Sequence, residues 1–109
     1  MIGSRKTSAV KILTAAQWHD WQVSGIFVGA PVDLADGYIH LSTDDQVIGT
    51  LERHFAGQTD LVLAEIDLSM LGDTVKWETS RGGALFPHVY GAIPLAAVNV
   101  AHPLFEPAL

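Results

Sequence analysis

Twice in this chain a short strand-like stretch runs straight into the same four-residue signal. "AVKILT" (9–14) ends on Thr14 with Gln17 three residues later, and "GYIHLS" (37–42) precedes Thr43 with Gln46 three residues later. In this pattern the threonine hydroxyl accepts the N–H of the third helical residue, and the glutamine side chain accepts the N–H of the threonine. Two strand-to-helix switches are thereby predicted. The first helix, "AAQWHDWQVS", stops at Gly25; the second carries Val47, Ile48, Leu51 and Phe55 at helical spacing and ends at Gly57. Asp44 and Asp45 fall in its first turn, where negative charge suits the helix dipole.

The remaining elements follow from composition and punctuation. Residues 25–36, "GIFVGAPVDLAD", read as a loop with a short extended piece. "DLVLAEIDL" (60–68), "TVKWETS" (74–80) and "AAVNVAH" (96–102) read as strands, and "RGGALFPHVYGAIP" is too rich in glycine and proline to be regular throughout. The order β-α-β-α-β-β-loop-β is α+β, with two main helices and a mixed or antiparallel sheet. The length of 109 residues predicts a single domain, 1–109, with a core over 9–102 and a short flexible N-terminus at 1–7. Trp77 and Phe55 are expected in that core.

Composition excludes several classes. Hydrophobic residues are 49% and charged residues 17%, which argues against disorder. No apolar run reaches the ~20 residues of a membrane span. Lys11 and Gln17 interrupt the apolar part of the N-terminal stretch, so no signal-peptide core is read and a cytoplasmic location is expected. A net charge of −6 opposes binding to a nucleic-acid polymer, whose phosphates need basic partners. The absence of cysteine removes disulfides, thiolate metal sites and a cysteine nucleophile.

The residues that carry chemistry gather in two stretches. On an extended 37–42 the side chains alternate, so Ile39 and Leu41 face the core while Tyr38, His40 and Ser42 share the other face. On "VKWETS", Lys76 and Glu78 share a face opposite Val75 and Trp77. "RGGALFPHVYG" adds Arg81, a Gly82–Gly83 pair suited to close ligand approach or a mobile lid, and a Phe86–Pro87 bend that aims His88 and Tyr90. Together His40, His88, Glu78, Arg81, Ser42, Thr43 and Tyr90 offer proton exchange near neutral pH, anion binding and hydrogen-bond donation. His40, His88 and Glu78 could supply three metal ligands, but no H-x-x-x-H or H-E-x-x-H spacing supports a metal, and none is assigned. A serine-nucleophile elbow and a P-loop are both lacking. The N–H groups at the start of the second helix, near Thr43, are a plausible anion site.

"DGYIHLSTDDQVIGTLERHFAG", "DLVLAEIDL", "VKWE" and "FPHVYGAIPLAAV" together resemble the small bacterial and plant domains of unknown function numbered 952, from about Ala9 to Val100. The I-H-L-S-T-x-x-Q and F-P-H-x-Y-G segments, in this order, are the specific part of the likeness. The family is similar in fold to ADP-ribosyltransferases, which implies a compact domain with a split, strongly bent sheet around a nicotinamide dinucleotide cleft. "YIHLST", the following helix and "LVLAEID" resemble the strand–helix–strand unit of rifamycin-modifying transferases. Where those enzymes carry an early His or Arg on the first strand, this chain has Lys11 and Thr14. The resemblance leaves the cofactor open, with NAD as the candidate by analogy.

The resulting expectation is an enzyme-like domain whose cleft binds an anionic or nucleotide-like small molecule, acting in transfer or hydrolysis at a ribosyl or phosphoryl centre. His40, Glu78 and His88 are its catalytic candidates: either histidine as acid, base or ribose holder, and Glu78 against a developing oxocarbenium charge. Ser42, Thr43, Arg81 and Tyr90 are its ligand-binding candidates. The alternatives are a non-catalytic binding module, and a purely structural histidine network. His19, His54 and His102 read as surface or satisfied residues.

Overall fold

The computed structural model describes residues 7–104, apart from the Arg81 side chain. Of the N-terminal stretch expected to be flexible, 1–7, residues 1–6 therefore lie outside the described part. Strand β1 (Ser8–Thr14) leads into helix α1 (Ala15–Ser24), and both halves of the first capping box form. Gln17 N–H donates to Thr14 Oγ1 at 3.1 Å, and Thr14 N–H donates to Gln17 Oε1 at 2.9 Å. Gly25 ends the helix in the left-handed region, φ 87°.

The second switch is looser. Strand β3 is only Ile39–His40, and a 3₁₀ turn over Asp44–Gln46 precedes helix α3 (Val47–His54). Thr43 N–H donates to Gln46 Oε1 at 2.9 Å, but the Thr43 hydroxyl donates to Asp45 Oδ1 at 2.6 Å. The helix is capped at Phe55, two residues before the predicted stop at Gly57.

Strands β4 (Leu61–Asp67), β5 (Val75–Ser80) and β8 (Val98–Pro103) match the sequence reading closely. Two regions correct it. The stretch read as a loop holds strand β2 (Ile26–Phe27) and helix α2 (Pro31–Asp36), so the chain has a third helix. The stretch read as irregular holds strands β6 (Ala84–Val89) and β7 (Ile93–Pro94). Strand β6 accommodates Pro87 because what Pro87 offers is its carbonyl, which accepts Leu41 N–H at 3.0 Å.

Every strand pairing among the described residues is antiparallel, so the mixed-sheet option falls away, and the strands fall into three sheets. Strand β4 lies between β1 and β8, β6 lies between β3 and β5, and β2 pairs with β7. An isolated bridge joins the two larger sheets: Val10 N–H donates to Ser42 O at 2.7 Å and Ser42 N–H to Val10 O at 2.9 Å. That bridge sets β1 beside the chain leaving β3, which is where the site forms.

Ala9 and Leu13 of β1 pack with Trp21, Phe27, Ile39, Leu41, Ile66 and Val89 into the main core, while Val10 and Ile12 pack with Leu61 against the Val47, Leu51 and Phe55 side of α3. Trp21 stacks on Phe27 with centroids 4.9 Å apart. Burial of a side chain of this kind contributes about 2–3 kcal/mol. Trp77 and Phe55 are half-buried at the margins of these clusters rather than inside them.

Candidate functional site

Lys11 stands between Val10 and Ile12 on β1 and is 5% exposed. A buried ammonium needs a counter-charge, and α2 supplies it. Pro31 opens that helix with its φ already suited to the first turn, and Gly37 closes it in the left-handed region at φ 89°. Between them Asp33 folds back into the protein, 2% exposed. Its Oδ2 accepts Lys11 Nζ at 2.9 Å and Ala30 N–H at 2.7 Å. Its Oδ1 accepts the His40 backbone N–H at 3.1 Å and His40 Nδ1–H at 2.6 Å. Lys11 Nζ also donates to the His40 carbonyl at 3.1 Å. One carboxylate thus ties together β1, α2 and β3.

Burial alone would raise the Asp33 pKa, but the His40 hydrogen bond, the Lys11 charge and the Ala30 and Lys11 bonds outweigh it and hold it at about 2. Lys11 is shifted down, because burial outweighs the attraction of Asp33. The two partners therefore disagree about the pair: Asp33 gains from it while Lys11 is still penalised. The net contribution is smaller than the Asp33 side suggests, as is general for buried ion pairs.

A second carboxylate–imidazole pair lies across the sheet. His88 on β6 is paired with His40 on β3 and with Lys76 on β5, so Glu78 is its diagonal neighbour. His88 Nδ1–H donates to Glu78 Oε1 at 2.7 Å, and Tyr90 O–H donates to the same oxygen at 2.8 Å. These bonds, His88 first, hold the Glu78 carboxyl below its ordinary range, and the bond to Glu78 raises the Tyr90 phenol. Tyr38 joins the two pairs. Its ring stacks on His88 at 4.1 Å and lies 4.7 Å from His40 and 5.2 Å from Tyr90. Burial, followed by the charges of Asp36 and Glu78, raises its phenol. The two imidazoles meet edge-on with centroids 5.5 Å apart.

Both imidazoles line one cavity of about 610 Å³, within the size range of small-molecule sites. Of the candidate catalytic and ligand-binding residues, His40, His88 and Ser42 are on its wall, and Tyr38, on the same predicted strand face as His40, is there too. Glu78 and Tyr90 bond to one another beside His88 but are not on the wall, and the Thr43 hydroxyl is turned to Asp45. The Arg81 side chain lies outside the described residues. Ser42 Oγ lies 2.9 Å from Thr50 Oγ1, which ties the strand to α3. His54, read as a surface residue, lies on the wall although exposed. Among the described residues no group of three or more His, Asp or Glu is arranged to hold a metal ion.

Asp33 and Asp36 reach the cavity without having been picked out in sequence, and Lys11, noted there only as a first-strand residue, reaches it with them. Two signals were present. A lysine inside an apolar strand calls for a buried partner, and Pro31 and Gly37 bracket one short helix with Asp33 at its third position.

The sequence profile of a family described as "Protein of unknown function (DUF952)" matches residues 12–101. An X-ray structure of protein CC0527 from Caulobacter crescentus is similar at 43% identity, covering 94% of this chain and 90% of that one, with a TM-score of 0.88. A solution NMR structure of the same Caulobacter crescentus protein has 43% identity over 94% of this chain and 89% of that one, with a TM-score of 0.81. Both are structural genomics targets. No curated protein matches the chain.

Proposed function

The chain belongs to the DUF952 family, and from the geometry of its cavity we propose an enzyme-like site for a small anionic or nucleotide-like ligand. His40 and His88 are its proton donor and acceptor. The observation that carries this is their pairing: two imidazoles on one cavity wall, 5.5 Å apart, each with Nδ1 held by a carboxylate. A carboxylate on Nδ1 fixes the tautomer and the ring plane, so Nε2 is the atom left to exchange a proton with a ligand. Two such groups, one giving and one taking a proton, suit displacement at a phosphoryl or ribosyl centre.

The ADP-ribosyltransferase-like reading with NAD as donor would need Glu78 against the sugar. Its Oε1 is already occupied by His88 and Tyr90, and Glu78 is off the cavity wall, which favours proton transfer by the histidines over charge stabilisation by Glu78. A binding module without chemistry is the second reading. It is favoured by the contact of His40 Nε2 with Asp36 at 3.0 Å, which occupies the atom that catalysis would use.

Calorimetric titration with NAD, ADP-ribose and nucleoside monophosphates, followed by product analysis, separates these. Binding should be measurable, and His40→Ala should weaken it more than tenfold, the loss of about 1.5–3 kcal/mol expected for a hydrogen bond to a charged group. Turnover that disappears in both His40→Ala and His88→Ala supports the enzyme. Binding without turnover supports the module, and no binding at millimolar ligand removes both.

A further inference from the structure

Two charged residues on the cavity wall, Asp36 and Arg53, stand outside the buried Lys11–Asp33 pair. Asp33 has its acceptor positions filled by Lys11, Ala30 and His40. Asp36 does not. It ends α2, is 46% exposed at its side chain, lines the cavity, and bonds among the described residues to His40 Nε2 at 3.0 Å. Arg53 on α3 also lines the cavity, is exposed, and forms no ion pair among the described residues, in a chain of net charge −6. It lies about one helical turn past Thr50, which touches Ser42, and it makes no ion pair with Asp36.

We propose that Asp36 and Arg53 determine which ligands this cavity accepts: Asp36 with His40 takes a ligand hydroxyl, and Arg53 takes the ligand's anionic group. A hydroxyl can donate to the Asp36 carboxylate and accept from His40 Nε2–H, so it replaces their direct contact with two bonds of the same kind. A phosphate or carboxylate placed there is repelled by Asp36. The guanidinium of Arg53 suits it instead, by charge and by paired N–H geometry. Ile12, Phe55 and Phe86 give the wall apolar surface for a flat ring. The ligand class is a phosphate ester carrying free ring hydroxyls, such as a nucleoside monophosphate or a sugar phosphate. This assignment rests on the cavity being a ligand site.

The test is calorimetric titration of AMP, 2′,3′-dideoxy-AMP and inorganic phosphate into the wild type, Asp36→Ala and Arg53→Gln. Both positions are exposed enough for the variants to keep the fold, which thermal melts check. AMP should bind the wild type at least tenfold more tightly than its dideoxy analogue. Asp36→Ala should erase that gap and bind phosphate several-fold more tightly. Arg53→Gln should weaken AMP and phosphate alike by about tenfold while the hydroxyl gap remains. Equal binding of the two nucleotides by the wild type, or a gap that survives Asp36→Ala, overturns the assignment while leaving the cavity a ligand site. A wild type that binds none of the three at millimolar concentration overturns the cavity reading itself, and this one with it.

Discussion

The Asp33–His40 and Glu78–His88 pairs use the same bond and opposite burial. In the first the carboxylate side chain is 1% exposed and the imidazole 33%; in the second the imidazole is 5% exposed and the carboxylate 38%. The first pair hides its anion against Lys11 and presents its ring to the cavity. The second keeps its ring almost buried at the cavity wall, stacked on Tyr38, and leaves its anion at the surface with Tyr90. A carboxylate–imidazole contact is therefore not one kind of object: here one is a junction of three chain segments, and the other is a surface carboxylate steadying a buried ring.

Removing the two carboxylates should expose that difference most strongly. Asp33→Ala leaves the Lys11 charge buried without a partner and removes the acceptor for two backbone N–H groups, and should cost about 3–5 kcal/mol in urea unfolding. Glu78→Ala should cost far less, because its carboxylate is already partly hydrated. Equal losses would break the comparison.

Acid provides a milder version of the same test. The Asp33 pKa is about 2 in the folded protein against an ordinary 3.8, so the fold favours the ionised form. That stabilisation is fully present above the unfolded value and is lost as pH falls from about 4 to about 2. A gap of this size corresponds to about 2 kcal/mol. Urea midpoints measured from pH 6 down to pH 2 should fall in the wild type and fall less steeply in Asp33→Asn, measured relative to its own value at pH 6.

These two pairs were unequally legible in the sequence. His40 and His88 could be brought together because alternation about Ile39 and Leu41 put His40 off the core, and the Phe86–Pro87 step marked a chain direction. The first capping box was readable because Thr14 and Gln17 satisfy each other locally, with no help from tertiary structure. Helix α2 was hidden because Val32 and Leu34 are 57% and 63% exposed, so no apolar stripe marks it. Strand β6 was hidden because Pro87 within it and the glycines flanking it, Gly82, Gly83 and Gly91, argue against a ladder that its neighbours nonetheless complete. Asp33 was lost with α2. Its partners lie 22 residues back on β1 and 7 residues ahead on β3, and only the folded chain brings them together.

The histidines themselves should reverse the order of the carboxylates. His88 is buried and stacked on Tyr38, whereas His40 is a third exposed and its loss still leaves Asp33 three donors. His88→Ala should therefore lose about 1–2 kcal/mol more than His40→Ala in denaturant unfolding. Should His40→Ala prove the more damaging, the Asp33 junction depends on the ring it presents, and the open-ring description of that pair fails.

The smallest effect concerns Tyr90 and is read as a titration rather than a stability. Glu78 is held below its ordinary carboxyl range first by the His88 bond and second by the Tyr90 hydroxyl, both on Oε1. Tyr90→Phe removes the second donor and keeps the ring beside Tyr38. The ionised form of Glu78 loses a stabilising bond while the protonated form loses less, so its midpoint should rise toward the ordinary value without reaching it. A carbon-13 titration of the Glu78 carboxyl in wild type and Tyr90→Phe measures this directly. The Asp33 carboxyl, which makes no contact with Tyr90, serves as the internal reference and should not move. An unchanged Glu78 midpoint would mean that His88 alone sets its charge. The second pair would then be held by a single bond, and the Asp33–His40 junction would stand alone as the networked one.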